Sequence, residues 1–309
     1  MPVVVAGVLA CSCQAVPDAP LRVGTNVWPG YEPLYLARDL GAVSDRDVRL
    51  VTFPSAVSVS LAFRNGGIDV AALTGDEILS VAQTMPQLQI VLVTDFSNGG
   101  DALVGQATLK SLKDLKGARI GVESGAVGGY LFRRALRQAG LTPSDVSIVD
   151  TPWSRHVEAF SSGAVDAIVT FNPHRQALLD AGATVLFDSS MVKGEIFDAL
   201  VARESTVRER PATLGRIVSA WMTGREHMRT HPADAAARMA QIESRYRPSF
   251  QTHLQGIELM DRTRNHQLLG GTSPGLTEVL SAVAANAPAP MMSPTPARHS
   301  VQLTDRFVP

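Results

Sequence analysis

Short apolar runs alternate with helical stretches from Leu21 onward, a pattern typical of α/β proteins with largely parallel sheets. The first strand is predicted at "LRVGTNV" and the first helix at "EPLYLARDLGAV", which ends near Gly41. The run "LQIVLVTDFS" is apolar almost throughout, as expected of a strand that is covered on both faces. We therefore expect parallel-rich sheets with flanking helices.

The same order of strands and helices occurs twice along the chain. The stretches "NGGIDVAALT" (65–74) and "SSGAVDAIVT" (161–170) both place small residues, an Asp and a buried strand in that order. We interpret Asp69 and Asp166 as structural residues that start these strands. The repetition predicts two similar α/β lobes lying side by side.

The pattern changes after Lys193, where one more strand, "IFDALVAR", is followed by mostly helical sequence. We assign this helical tail to the first lobe. The predicted division has a leader and linker at 1–20, a first lobe at 21–103 together with 197–309, and a second lobe at 104–196.

Composition excludes several classes of function. The 28 Lys and Arg residues nearly balance the 29 Asp and Glu residues, so the charge favours neither a nucleic acid nor an anionic membrane surface as a partner. The seven His residues show no metal-ligand spacing, and neither HExxH nor GxSxG occurs. We predict no cofactor, no metal site and no enzymatic activity, and among the histidines only His174 follows a strand end.

The N-terminus has the features of an export signal. Residues 3–10 are apolar and end in small residues before Cys11, which resembles the end of a bacterial lipoprotein signal, although no Lys or Arg precedes the run. Cys11 and Cys13 are the only cysteines, which excludes a zinc cluster or disulfide framework in the folded body. We expect export, with Cys11 as a lipid anchor that makes the only membrane contact; the alternative is a disordered apolar N-terminus.

The first strand ends in a turn rich in aromatic residues. Trp28 stands before Pro29-Gly30, a turn that directs its ring away from a regular core position. Together with Asn26 and Tyr31, it could stack on a ligand and hydrogen-bond to it. The alternative is that Trp28 packs within its own lobe.

Two more candidate sites lie at the ends of first-lobe strands. Ser55 and Ser58 bracket the start of a helix, where hydroxyl and N–H groups can hold an oxyanion or simply cap the helix. Thr74 and Asp76 follow a buried strand, and Asp76 either accepts a hydrogen bond from a ligand or caps the next helix. In "DFSNGGD", Ser97 and Asn98 precede two glycines, which suits a crossover that also approaches the ligand.

In the second lobe, the candidates again follow strands. Glu123, Ser124 and Gly125 lead into a helix through small residues that would let a ligand approach its N-terminus, although no Walker motif is present. Trp153 could close the cleft from the side opposite Trp28. Phe171 and Asn172 are candidates for the cleft wall.

Four stretches together resemble one known family. They are "RVGTNVWPGYEPLYLARDLG" (22–41), "GGIDVAALTGDE" (66–77), "DFSNGGDALV" (95–104) and "LKGARIGVESGAVGGYLF" (115–132). In order and spacing they resemble ABC-transporter substrate-binding proteins of the nitrate/sulfonate/taurine group, which share a fold with thiamine-pyrimidine synthases. The resemblance implies a type II periplasmic-binding-protein fold, in which two lobes joined by two crossovers close around a ligand.

The function that follows is an extracytoplasmic solute-binding protein that acts as a monomer and delivers a small organic molecule to an ABC permease in the inner membrane. The aromatic residues favour a ligand with a ring. The serines and helix N-termini favour a sulfonate or carboxylate, whereas Asp76, Asp95 and Glu123 favour an amine or a nitrogen heterocycle, and the sequence leaves both open. One rival is an enzyme of the same fold, which depends on a cysteine-rich motif and a reactive His; another is a sensor that signals to a membrane kinase or cyclase.

Overall fold

Two β-sheets organise the part of the chain that the computed structural model describes, which is residues 19–85, 87–242, 250–286 and 301–309. The first sheet has the order β11-β4-β10-β3-β1-β2. β12 pairs with the same edge of β4 as β11 does, but at the opposite end of that strand. Its strands are β1 Leu21–Thr25, β2 Val48–Thr52, β3 Val70–Thr74, β4 Leu88–Ser97, β10 Phe197–Arg203, β11 Ile257–Leu259 and β12 Val301–Leu303.

The second sheet has the order β7-β6-β8-β5-β9. Its strands are β5 Ala102–Gly105, β6 Arg119–Val122, β7 Ser147–Asp150, β8 Ala167–Thr170 and β9 Thr184–Asp188. Each sheet is mixed. β1 lies parallel to β2 and β3, and β6 lies parallel to β7 and β8, whereas β10 is antiparallel to both of its neighbours and so is β5.

Helices flank both sheets, which confirms the predicted α/β class. They are α1 Glu32–Asp39, α2 Ala56–Arg64, α3 Gly75–Ala82, α4 Val127–Ala139, α5 His156–Ser161, α6 His174–Asp180, α7 Glu204–Glu209, α8 Pro211–Thr230, α9 Pro232–Ile242, α10 Phe250–His253, α11 Arg262–Leu269 and α12 Leu276–Asn286. Within the described ranges, no helix is long and apolar enough to cross a bilayer.

The chain passes between the sheets twice, from β4 to β5 through residues 98–101 and from β9 to β10 through residues 189–196. We call the part built on the first sheet the first lobe and the part built on the second sheet the second lobe. The predicted domain boundaries at 103/104 and 196/197 stay a prediction; β5 already begins at Ala102. The predicted leader falls almost wholly on residues 1–18, outside the described residues.

The two lobes use the same ion pair to join neighbouring strands. The Arg22 guanidinium donates to both carboxylate oxygens of Asp69 at 3.0 and 2.8 Å, and the Arg22 backbone N–H adds a bond of 2.8 Å. In the second lobe, Arg119 makes the same three bonds to Asp166 at 3.1, 2.7 and 2.8 Å. Both acids therefore have the structural role predicted for them, at the end of each lobe where the parallel strands begin.

The helical tail packs on the first lobe and supports its aromatic turn. Helix α8 lies against α1, and a Cβ added to Gly224 would lie 1.9 Å from the carbonyl oxygen of Pro33. Trp221, fully buried in α8, donates from Nε1 to the carbonyl oxygen of Gly30 at 3.2 Å. Helix α8 thus holds the turn that follows β1 in place through Trp221.

Candidate functional site

A narrow cleft with a cavity volume of about 30 Å³ lies between the lobes, at the end of each sheet where the parallel strands finish. None of its sixteen lining residues is Lys or Arg, whereas four are Asp or Glu. The lining consists of Asn26, Trp28, Tyr31, Ala56, Thr74, Glu77, Asp101, Glu123, Ala126, Val127, Gly128, His156, Val169, Thr170, Phe171 and Asp198.

The aromatic turn after β1 meets two carboxylates. Trp28 is buried, and its indole Nε1 donates to both oxygens of Asp95 at 3.1 and 3.2 Å. The Tyr31 hydroxyl donates to Asp198 in a short hydrogen bond. A Cβ added to Gly30 would lie 2.0 Å from Asp95 Oδ2, so only glycine lets the turn pack this closely on the carboxylate.

Asp95 and Asp198 lie opposite each other on two neighbouring strands of the first sheet. They are register partners in the antiparallel pair β4 and β10, and neither is more than 2% exposed. Burial raises the pKa of Asp95 to about 7, against the lowering effect of the hydrogen bonds from Thr94 and Trp28. Burial and the nearby charge of Asp95 also raise the pKa of Asp198 well above its usual value. Asp198 in the cleft lining and its buried register partner Asp95 are therefore a pair of acids with raised pKa values.

The start of α3 brings a third acid to the cleft. Oε2 of Glu77 accepts a hydrogen bond from the Thr74 backbone N–H at 3.0 Å, and the Thr74 hydroxyl donates to Asp76 at 2.8 Å. Oε1 of Glu77 accepts from the backbone N–H of Val127, in the second lobe, at 3.3 Å. Burial, followed by the charge of Asp76, raises the pKa of Glu77 to about 8.

The first crossover is fastened to the second by serines. The hydroxyls of Ser97 and Ser189 lie 2.8 Å apart, and Ser189 also accepts from the Gly99 backbone N–H at 2.7 Å. The backbone N–H of Asp101 donates to Ser97 at 3.1 Å, which turns this acid toward the cleft, and burial raises its pKa to about 6.

The second lobe contributes mainly uncharged groups. His156 lies between the Thr151 carbonyl at 3.2 Å and the Thr170 hydroxyl at 3.0 Å. A carbonyl can only accept, so Nε2 donates to Thr151, and when the ring is neutral its Nδ1 accepts from the Thr170 hydroxyl. Burial and the nearby His174 lower the pKa of His156 to about 4, so it carries no charge into the cleft near neutral pH.

A chain of rings crosses from one lobe to the other. Phe171 meets Trp28 edge to face, with centroids 5.3 Å apart, and lies nearly parallel to Trp153 at 6.0 Å. Trp153 in turn stacks on His174 at 3.9 Å. Phe171, rather than Trp153, is therefore the ring that faces Trp28, and Trp153 borders a separate groove with Phe53 and Pro54.

The structure brings six of the predicted site residues together around the cleft: Asn26, Trp28, Tyr31, Thr74, Glu123 and Phe171. Their contact with a ligand stays a prediction. The other predicted site residues are not among those that line this cleft, and their contact with a ligand also stays a prediction: Ser55, Ser58, Asp76, Ser97, Asn98, Ser124, Gly125, Trp153 and Asn172.

Local hydrogen bonds explain these other positions. Ser55 caps α2 by accepting from the Ser58 backbone N–H at 3.2 Å. Asn98 donates to Glu258 at 2.7 Å, and the Ser124 backbone N–H donates to Asp150 at 3.2 Å. The Asn172 side chain donates to the Thr252 carbonyl at 3.4 Å and accepts from the Gln176 backbone N–H at 3.2 Å. These side chains serve helix starts and contacts between segments.

Sequence reasoning missed several residues of the lining, among them Glu77, Asp101, His156, Thr170 and Asp198. One signal was available: Asp198 interrupts an otherwise apolar strand, where an unpaired charge is costly. Within the described part of the chain, no group of three or more His, Cys, Asp or Glu side chains could hold a metal ion.

Comparison with known proteins places the chain among its relatives. The sequence profile of the NMT1-like family matches residues 14–244, about three quarters of the chain. The chain belongs to the NMT1-like family. The predicted resemblance to the sulfonate, taurine and nitrate-binding group is confirmed at the level of the family.

Two curated relatives show how far the likeness to this NMT1-like chain extends. A putative binding protein of Brucella abortus is 32% identical over 127 residues, which cover 38% of the chain and 39% of that relative. The putative aliphatic sulfonates-binding protein of Escherichia coli K12 is 29% identical over 208 residues, covering 60% of the chain and 61% of the relative. The matches thus span less than two thirds of the length of either relative.

A solved structure defines the fold. The alkanesulfonate-binding protein of Xanthomonas axonopodis pv. citri bound to MOPS superimposes with a TM-score of 0.75, over 93% of this chain and 99% of that one, at 18% identity. The NMT1-like chain therefore has the predicted type II periplasmic-binding-protein fold.

Proposed function

We propose that the protein is the solute-binding component of an ABC importer and closes its two lobes around a small organic molecule without changing it chemically. The observation that carries the proposal is the cleft between two lobes that are joined by two crossovers. Hinge closure around a ligand is the usual action of this architecture. Membership of the NMT1-like family and the names of its binding-protein relatives support the same function.

The lining favours a ligand that donates hydrogen bonds. Glu77, Asp101, Glu123 and Asp198 line the cleft, and no Lys or Arg among the lining residues would balance the charge of an anion. An amine or a heterocycle with ring N–H groups would instead find acceptors. Trp28, Tyr31 and Phe171 provide the apolar surface that a flat ring would need.

A sulfonate is the second candidate ligand, because it is what the Escherichia coli relative's name states for that protein. Taurine, named for another Escherichia coli relative, carries both an amine and a sulfonate and is therefore a useful intermediate probe. The acidic lining makes us rank the amine or heterocycle first.

Location and partners are part of the proposal. The protein would be exported, held at the membrane surface by a lipid on Cys11, and would act as a monomer that delivers its ligand to the permease. Cys11 lies outside the described residues. Related periplasmic proteins, among them the taurine-binding protein of Escherichia coli, support the extracytoplasmic location.

A thermal-shift panel tests the proposal. The panel contains aromatic amines, pyrimidines, taurine and simple alkanesulfonates, because a ligand that binds only the folded protein raises Tm. We expect at least one amine or pyrimidine to raise Tm, and the plain alkanesulfonates to leave it unchanged. Stabilisation by alkanesulfonates alone would show that the ligand class is wrong while leaving solute binding intact.

A transport protein and a sensor would bind the ligand in the same cleft but contact different partners, an ABC permease in one case and a membrane kinase or cyclase in the other. We expect the loaded protein to stimulate ATP hydrolysis by its permease in proteoliposomes. If no small molecule stabilises the protein but a membrane kinase or cyclase does, the importer proposal is wrong.

A further inference from the structure

Two hydrogen bonds between the lobes mirror each other. Glu77, in the first turn of α3 in the first lobe, accepts from the backbone N–H of Val127 at 3.3 Å, in the first turn of α4 in the second lobe. Glu123, which follows β6 in the second lobe, accepts from the backbone N–H of Val57 at 3.5 Å, in the first turn of α2 in the first lobe. Each lobe therefore supplies one carboxylate and one helix N-terminus.

A carboxylate at such a position accepts hydrogen bonds from helix N–H groups that have no partner within the helix. The first N–H groups of a helix lack partners within the helix and carry partial positive charge, so they favour an anion. Ala126, which precedes α4, makes no side-chain cap bond, so Glu77 caps this helix from the opposite lobe. At α2, Ser55 caps the Ser58 N–H, and the neighbouring Val57 N–H is left to Glu123.

The packing around these bonds is close. A Cβ added to Gly125 would lie 3.1 Å from Val57 Cγ2, so the second-lobe backbone lies directly against the start of α2. Glu77 is only 3% exposed, which shields its bonds from competition by water. The edge-to-face pair of Trp28 and Phe171 adds a third contact between the lobes.

We propose that Glu77 and Glu123 form a reciprocal latch, which holds the two lobes together and keeps oxyanions away from the two helix N-termini. The exclusion of oxyanions rests on the proposed function, because it concerns what the cleft binds; the holding of the lobes does not. These are the same two helix starts at which the sequence predicted room for an oxyanion. A sulfonate or carboxylate that approached either one would have to displace a carboxylate of the protein itself.

The latch is tested first without any ligand. The variant Val127→Pro removes the donor N–H at the first position of α4, where proline is favoured, and the preceding Ala126 has extended backbone (φ −129°, ψ −176°) that a following proline accepts. Combined with Glu123→Ala, it removes both bonds. We expect small-angle X-ray scattering to give a larger radius of gyration than for the unaltered chain.

Asp261→Ala is the matched control, because Asp261 caps α11 within the first lobe by accepting from the Arg264 backbone N–H at 2.8 Å. It loses a helix cap but no contact between lobes, so its radius of gyration should equal that of the unaltered chain. Circular dichroism checks that each variant keeps its helices. A double variant that is folded and no larger than the control overturns the latch.

The exclusion of oxyanions is tested with propane-1-sulfonate as the probe. Isothermal titration should give no heat of binding to the unaltered chain at millimolar probe, and measurable binding to the double variant Glu77→Ala, Glu123→Ala. Binding of equal strength to both proteins, or binding to neither, overturns the exclusion. The scattering result stands apart from this titration, so failure of the latch is distinguishable from failure of the proposed solute binding.

Discussion

The two lobes are alike where their parallel strands begin and different where they meet. Arg22 and Asp69 in the first lobe are separated by 47 residues, as are Arg119 and Asp166 in the second, and the two pairs make the same three hydrogen bonds. Four residues beyond each arginine, the chain reaches the cleft with a different side chain, Asn26 in one lobe and Glu123 in the other.

The difference grows at the cleft itself. The first lobe brings Trp28 and Tyr31, each bonded to a buried acid, whereas the second lobe offers a helix start, a neutral His156 and the ring of Phe171. The repeated part of each lobe is its framework, and the part that lines the cleft is not repeated. The first lobe carries most of the buried acids near the cleft, and the second lobe packs over them.

The largest expected effect is a loss of ligand affinity when Trp28 of the first lobe is replaced, compared with replacement of Trp153 in the second. Trp28→Ala should weaken ligand binding more than tenfold, about 1.4 kcal/mol or more, because it removes a ring of the lining and the partner of Asp95. Trp153→Ala in the second lobe should change the affinity less than threefold, because Trp153 lies behind Phe171. Isothermal titration with the ligand found by the thermal panel measures both.

The conservative variant Trp28→Phe tests whether Trp28→Ala loses affinity through a folding defect. Trp28→Phe keeps a ring but loses the indole N–H, so it should fold normally and bind with an intermediate affinity. Equal losses for Trp28→Ala and Trp153→Ala would contradict the unequal division of the cleft.

The acids of the first lobe predict a dependence of stability on pH. Burial holds the pKa of Glu77 at about 8 and that of Asp95 at about 7, above their ordinary values of 4.5 and 3.8. Between these values the folded protein binds more protons than the unfolded chain, so the free energy of unfolding falls as pH rises. His156, whose pKa is lowered from 6.5 to about 4, has the opposite effect, but only below pH 6.5.

We therefore expect Tm to fall between pH 6.5 and 8, and Asp95→Asn to make the fall smaller. Asparagine can still accept from Trp28, and it removes a proton-binding group worth about 1 kcal/mol over this interval. Chemical denaturation at pH 6.5 and pH 8 measures the difference. An unchanged slope in the variant would contradict a buried, proton-holding Asp95.

The smallest expected effects concern the repeated ion pair. Arg22→Ala and Arg119→Ala should each lower Tm by about 1 to 3 °C, because partly exposed ion pairs contribute little. The two decreases should match, and neither variant should alter ligand affinity. Thermal unfolding of both variants side by side would reveal any inequality between the frameworks.

The fold and six of the sixteen residues that line the cleft could be predicted from the sequence for one physical reason. The carboxyl ends of parallel strands meet at one edge of a sheet, so residues that follow such strands, such as Asn26, Thr74 and Glu123, were expected to converge. This rule depends on strand direction, which is not visible in a single apolar run.

The same rule explains why two acids of the lining, Asp198 and Asp101, were missed. β10 is antiparallel to β3 and β4, and β5 is antiparallel to β8, so it is the beginnings of these two strands that reach the cleft. Asp198 lies at the beginning of β10 and Asp101 just before β5, where a search of strand ends does not look. The outward turn predicted for Trp28 also could not reveal that Asp95 holds the ring in a buried position.

The pairing of Asp95 with Asp198 has a consequence for the connection between the lobes. β4 and β10 are the strands through which the chain leaves the first lobe and returns to it, so both crossovers start from one two-stranded ribbon. The two crossovers therefore leave and enter the first lobe side by side, next to the register pair of Asp95 and Asp198. Because burial raises the pKa of both acids, a change in pH would alter the charge directly beside the place where both crossovers attach to the first lobe.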